Sequence, residues 1–249
     1  MRANPPVQVA DGVHRLGTSL VNWYVVDDGG RLTVLDCGLP GYWDQLEPGL
    51  AALGRSTSDI AAVVLTHGDG DHVGFAERLR TTAGVPVFIH RDDEPLATTT
   101  AHKKTEKGIV GYLRKGAAWS LLTHFARQGG LKPPPIGEVT TFEADQVLDV
   151  PGSPRAIHTP GHTDGHCVLH FPQSDAVFVG DALCTRNPLT GRMGPQLLPA
   201  GLNVSTDTAL SSLAAIEATG ARNVLPGHGD PWTGGAAEAV TAARAAGPS

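Results

Sequence analysis

The 249-residue sequence predicts an α/β fold, and three observations carry that prediction. Short apolar runs alternate with segments of helical spacing between residues 32 and 90. One of these runs, Ile60-Ala-Ala-Val-Val-Leu65, is too uniformly apolar to have a solvated face, which places it in the middle of a covered sheet. Histidine and aspartate gather in loops directly after such runs, and strand ends are where α/β folds keep their sites.

In chain order, residues 13–16 and 20–26 read as strands. The Asp27-Asp-Gly-Gly30 turn joins the second of them to a strand at 32–36, a hairpin signal. Trp43, Leu46, Leu50 and Leu53 give helical spacing over 42–53, and Gly54 stops that helix. After the strand at 60–65 come a polar loop, a helix over 73–83 ending at Gly84, and a strand at 85–89. Residues 97–135 break the rhythm. Val110, Leu113, Ala117, Leu121 and Phe125 recur at three- and four-residue steps, so the stretch reads as a helical insertion closed by Gly129-Gly130 and Pro133-Pro-Pro135. Strands resume at 139–142, 146–150, 155–158, 167–171, 176–179 and 223–225, with helices at 205–218 and 235–246. Two strand-rich halves, 7–90 and 138–228, result.

Composition narrows the function. A hydrophobic content of 41% with 18% charged residues fits a globular protein, and 31 glycines with 19 prolines suit many tight junctions. The net charge of −6 gives no reason to expect nucleic-acid binding. Cys37, Cys167 and Cys184 form no C-x-x-C pair, so a disulfide framework is not expected and a reducing compartment is. The first seven residues hold no apolar signal core, and no run approaches membrane-spanning length. A cytoplasmic protein without membrane association is the expectation. The insertion is basic: Lys103, Lys104, Lys107, Arg114, Lys115, Arg127 and Lys132 stand against Glu106 alone. No G-x-S-x-G elbow or Walker sequence is present.

Four polar loops each follow an apolar strand: T-H-G-D-G-D-H at 66–72, T-P-G-H-T-D-G-H at 159–166, Gly180-Asp181, and P-G-H-G at 226–229. Crowding carboxylates and imidazoles into glycine-rich turns costs like-charge repulsion and chain entropy unless a cation sits among them. Imidazole nitrogen and carboxylate oxygen are the usual ligands of Zn²⁺, Fe and Mn²⁺.

The four loops, in this order, resemble the metallo-β-lactamase superfamily: H-x-H-x-D-H, a G-H loop, a G-D and a late G-H. The likeness spans residues 67–228. It implies one domain over 1–249 with a four-layer αββα sandwich. The apolar stripe of the insertion at 97–135 is expected to pack against the body of the protein, with a lid or a dimer interface left open. By position, His67, Asp69 and His162 would hold a first metal, Asp71, His72 and His228 a second, and Asp181 would bridge. Asp69 departs from the family's usual histidine. The resemblance implies two divalent cations, Zn²⁺ first; Asp69 makes the first site more anionic, which admits Fe or Mn there. Asp36 resembles a position that braces the metal loop. His166, next to a strand, is expected to be structural or substrate-facing rather than a ligand, and Cys184 an ordinary buried thiol.

The resemblance implies a metal-dependent hydrolase using a metal-bound hydroxide at a dinuclear site, with Asp71 orienting the nucleophile. Ester, thioester, lactone and β-lactam bonds are the expected targets, in a small-molecule substrate that the basic insertion would suit if anionic or acyl-linked. A homodimer is left open. An iron-dependent redox protein on the same fold is the alternative that Asp69 raises, and a non-catalytic module with a relic site is a third reading.

Overall fold

The protein is described from a computed structural model over residues 5–99 and 101–247, so residue 100 of the insertion and both chain ends lie outside the description. The first sheet has seven strands in sequence order: β1 (Val7–Ala10), β2 (Val13–Gly17), β3 (Asn22–Asp28), β4 (Arg31–Leu35), β5 (Ile60–Val64), β6 (Val87–His90) and β7 (Thr140–Phe142). The first four run antiparallel, and β4 through β7 pair in parallel. The β3–β4 hairpin closes through Gly29 and Gly30, at φ 59° and 91°, with Asp28 opposite Arg31. That left-handed pair of residues is what a two-residue turn of the right twist demands.

The second sheet uses β8 (Arg155–His158), β9 (Cys167–Phe171) and β10 (Ala176–Gly180). Beyond a small hairpin of β11 (Cys184–Arg186) and β12 (Met193–Gln196), β13 (Asn223–Pro226) completes it, in the order β13-β10-β9-β8. Six α-helices complete the described residues: α1 (Trp43–Ala52), α2 (Ala76–Ala83), α3 (Glu94–Thr98), α4 (Gly116–Arg127), α5 (Thr206–Glu217) and α6 (Ala236–Ala246).

Alternation along each strand sorts the residues into layers. On β3, Trp23 and Val25 face outward onto Leu46 and Leu50 of α1 and Leu79 of α2. Tyr24 and Val26 face inward, where they meet Leu169, Phe171 and Phe178 of the second sheet. The outer face of that sheet, Val168, Val177 and Val224, is covered by Leu213 and Ile216 of α5 and by Ala239, Val240 and Ala243 of α6. This is a four-layer αββα sandwich. The all-apolar β5 has buried side chains toward both helix and sheet, as its sequence requires.

Some elements differ from the sequence reading. Residues 146–150 form no strand; Val147 makes only an isolated bridge to Arg155. The strand near 139 extends the first sheet at β7 rather than opening the second. The 73–83 helix starts at Ala76, because residues 70–75 are spent on turns that close the metal-motif loop. The insertion is helical only in part: α4 carries it, a 3₁₀ segment covers Ile109–Arg114, and 101–108 is irregular up to that segment. Val110, at 76% exposed, is off the packed stripe, whereas Ala118 and Leu121 are buried against Leu189. Strands β1, β11 and β12 had no clear sequence signal. Among the described residues no helix is long and apolar enough to cross a membrane. Cys37, Cys167 and Cys184 are free and buried.

Candidate metal centre

The four polar loops meet at one rim, and specific backbone bonds bring them there. Cys167 N–H donates to Thr66 O at 2.9 Å, joining the first loop to the second sheet, and Asn22 N–H donates to Gly227 O at 2.8 Å, joining the last loop to the first sheet. Gly227 has to be glycine, since a Cβ there would stand 2.6 Å from Asp181 Oδ1 and 2.7 Å from His72 Cε1. The chain is being threaded through the ligand cluster itself.

His67, His162 and Asp181 form one group whose ligand atoms lie within 4.8 Å of one another; Asp71, His72 and His228 form a second. Asp181, a member of the first group, also lies beside two histidines of the second. Its Oδ2 is 3.4 Å from His162 Nε2 and 3.2 Å from His228 Nε2, while its Oδ1 is 3.4 Å from His72 Nε2. Asp71 Oδ2 is 3.5 Å from His228 Nε2, and Asp69 Oδ2 is 3.0 Å from His162 Nε2 and 3.7 Å from His67 Nε2. Donors about 2.1 Å from a shared tetrahedral centre lie about 3.4 Å from each other, so these separations fit cation coordination.

Every imidazole is oriented the same way. His72 Nδ1–H donates to Asp36 Oδ2 at 2.6 Å, and His228 Nδ1–H donates to the carbonyl of Leu20. Thr66 Oγ1 donates to Asp36 Oδ2 at 2.9 Å, which leaves it to accept from His67 Nδ1–H at 2.9 Å. His162 Nδ1–H reaches Asn203 Oδ1 at 3.2 Å. With each Nδ1 committed outward, each Nε2 lone pair faces the centre, the arrangement that outer hydrogen bonds impose on metal-binding histidines. His67 Nε2, His72 Nε2 and Asp181 Oδ1 are buried and have no hydrogen-bond partner. Three orphaned buried lone-pair atoms in one pocket are costly unless a cation takes them.

The electrostatics agree. Burial pushes His72 and His228 down, yet the Asp181 and Asp71 carboxylates outweigh it and raise both, with Asp36 adding to His72, which ends well above the ordinary range. Burial also pushes Asp181 up, but His228 and His72 hold it well below the usual carboxylate range. The pocket stabilises positive charge. His67 goes the other way: burial, then His72 and His162, drive it well below the ordinary imidazole value, so it stays neutral.

Asp36 does not reach the centre; it braces His72 and Thr66. His166 is also outside it. Its Nε2 accepts the Asp181 N–H at 3.1 Å, so its Nδ1–H donates to Thr159 Oγ1 at 2.9 Å, fixing the backbone that presents Asp181. Cys184 is buried in β11. Three participants escaped the sequence reading. Asp93 is buried and accepts from Gly68 N–H at 2.9 Å, Thr163 Oγ1–H at 2.7 Å and Gly165 N–H at 2.8 Å, tying the first polar loop to the second. Asn203 orients His162. Lys103 sends its ammonium into the cluster to pair with Asp69. None of the three lies in a recognisable motif, and only the basic composition of the insertion hinted at Lys103. Burial pushes Asp69 up, but Lys103 and then His162 hold its carboxyl well below the usual range.

A sequence profile of the metallo-beta-lactamase superfamily matches residues 16–228. The probable metallo-hydrolase YflN of Bacillus subtilis (strain 168) is 25% identical over 256 residues, 94% of this chain and 90% of that protein. A hydroxyacylglutathione hydrolase of Cereibacter sphaeroides is 29% identical over 136 residues, 55% of this chain and 39% of that enzyme. In fold, a Cronobacter sakazakii metallo-beta-lactamase with a HARLDQ motif aligns with a TM-score of 0.68 at 20% identity, covering 98% of this chain and 92% of that one. With a profile match running from the second strand to the last histidine loop, the chain belongs to the metallo-beta-lactamase superfamily.

Proposed function

We propose that this protein is a metal-dependent hydrolase of an ester, thioester, lactone or β-lactam-type bond in a small molecule. The observation that carries the reading is the common orientation of His67, His72, His162 and His228, with every Nε2 turned toward Asp181 and every Nδ1 occupied outside. On this reading His67, Asp69, His162 and Asp181 would hold one divalent cation and Asp71, His72, His228 and Asp181 another, with Zn²⁺ preferred by the imidazole-rich set and Fe or Mn admitted by Asp69. Bound cations supply Lewis acidity, lowering the pKa of a water and stabilising negative charge on the scissile group. Asp71, whose side chain keeps 13% exposure and lines the cavity, would orient the attacking water and take up its proton.

A cavity of about 280 Å³ opens over this cluster. Its floor includes Asp71, His162, Asp181 and His228; its apolar wall includes Leu121, Phe125, Leu189 and Leu202, and most of that wall comes from the insertion. An apolar wall over a polar floor suits an acyl group placed with its carbonyl down. Lys132, on the same insertion, lines the adjoining cavity of about 560 Å³ that shares Asp69 and Gly70, and its charge favours an anionic substituent. The names of the hydrolytic relatives support the same class of chemistry.

The test is a panel of p-nitrophenyl esters, lactones, thioesters and bis-p-nitrophenyl phosphate offered to zinc-loaded protein. Turnover of an acyl substrate is expected, abolished by chelation and by Asp71→Ala while circular dichroism shows the fold retained. Full hydrolysis after chelation would refute the proposal. The iron redox reading predicts instead visible iron absorbance after anaerobic loading and no hydrolysis.

A further inference from the structure

The two donor groups are not equally available. Lys103 comes from the irregular stretch 101–108, and its side chain is only 11% exposed. Its ammonium pairs with Asp69 Oδ2 and lies 2.7 Å from His162 Nε2. An ammonium has only N–H groups to offer, so it donates to both. Because His162 Nδ1–H is committed to Asn203, the lone pair that Lys103 takes is the one a cation would need. A metal bonded to Asp69 and His162 at about 2.0–2.2 Å would fill the space that Nζ holds.

The lysine is delivered by an anchored segment. Glu106 N–H donates to Asn203 O at 2.8 Å, Lys107 N–H donates to Ala200 O at 3.3 Å, and Glu106 Oε2 accepts from Thr206 N–H at 2.9 Å. The same Asn203 orients His162, so the chain that positions the histidine also positions its competitor. The second group has no such occupant: among the described residues no lysine or arginine pairs with Asp71 or Asp181, and His72 Nε2 is unpartnered.

We propose that Lys103 is a built-in competitor for one of the two cation positions. With its ammonium seated, the chain holds a single cation at Asp71, His72, His228 and Asp181. The position at His67, Asp69 and His162 fills only as Lys103 withdraws, which ties its occupancy to movement of residues 101–108 over the cavity. This rests on the metal-dependent reading above.

Full-length protein stripped by chelation and titrated with Zn²⁺ tests it, with bound ions counted by native mass spectrometry and affinities taken from competition with a chelating dye. Wild type is expected to take one ion tightly and a second at least tenfold more weakly. Lys103→Met, which keeps the stem and removes the charge, should tighten the second ion at least tenfold and leave the first unchanged. Lys103→Arg, which keeps a cation, should stay close to wild type, and melting curves establish that both variants fold. Two equally tight ions in wild type, or a second-ion affinity that Lys103→Met leaves unmoved, would overturn the inference while sparing the hydrolase reading. Failure of every form to bind Zn²⁺, Fe²⁺ or Mn²⁺ would remove both.

Discussion

Asp36 accepts the His72 Nδ1–H at 2.6 Å from a backbone held at φ 55°, a left-handed conformation that aspartate and asparagine tolerate better than other side chains. The same carboxylate takes the Thr66 N–H at 2.8 Å and the Thr66 hydroxyl at 2.9 Å, so one buried group sets the orientation of both His67 and His72. Asp36→Asn keeps the shape and tolerates the φ. Its amide must then turn N–H toward either His72 Nδ1 or the Thr66 N–H, and the first of these moves the imidazole proton onto Nε2. Zinc affinity is expected to fall about 10–100-fold with the fold intact, measured by dye competition beside circular dichroism. An unchanged affinity would show that Asp36 is only a structural brace.

Gly227 sets the closest approach of chain to ligands. A Cβ there meets Asp181 and His72 below contact distance. Gly227→Ala should therefore displace the ligands, lowering zinc occupancy and costing about 1–3 kcal/mol in denaturant unfolding. Gly84→Ala, where nothing stands within 4 Å but φ is +67°, is the control: a modest stability loss with full zinc occupancy.

The metal-depleted protein should be most stable near pH 6.5. His67, His166 and His90 are pushed down, burial being the largest cause in each, so the folded state resists protonating them. Their contribution is present above the unfolded value and is lost as pH falls through the folded pKa values, with a slope of about 1.4 kcal/mol per pH unit for each group. His72 and His228 are raised, so their contribution is full below the unfolded value and is lost as pH rises through theirs. Melting temperatures of chelated protein from pH 5 to 9 should show a maximum. Added zinc should remove the alkaline decline, because the cation replaces those protons.

Phe178 sits between the sheets, its ring 4.8 Å from that of Tyr24 at an edge-on angle of 63°. Phe178→Ala should cost about 3–5 kcal/mol in urea unfolding, since the strands on either side cannot close the gap. A loss below 1 kcal/mol would mean the inter-sheet core is looser than described.

How much of this was legible in the sequence follows from what each feature depends on. β5 and the polar loop after it were readable because burial on both faces and crowded acids leave a local signature at 60–72. The four loops were readable as a set because their order along the chain is itself a pattern. β7 went to the wrong sheet because pairing partners are non-local, and Val147 was read into a strand because an alternating segment can end as a single bridge. Asp93, Asn203 and Lys103 act through contacts over separations of 25 to 72, 41 and 34 residues or more, which no local spacing records. The insertion announced its charge and not its aim.

The central claim is that imidazole nitrogen and carboxylate oxygen, from loops far apart in the chain, enclose cations at one rim. Zinc K-edge X-ray absorption of loaded protein tests it most directly. The expected result is a first shell of nitrogen and oxygen near about 2.0–2.1 Å with the outer scattering of imidazole rings. A shell containing sulfur near about 2.3 Å, or one without imidazole scattering, would contradict it.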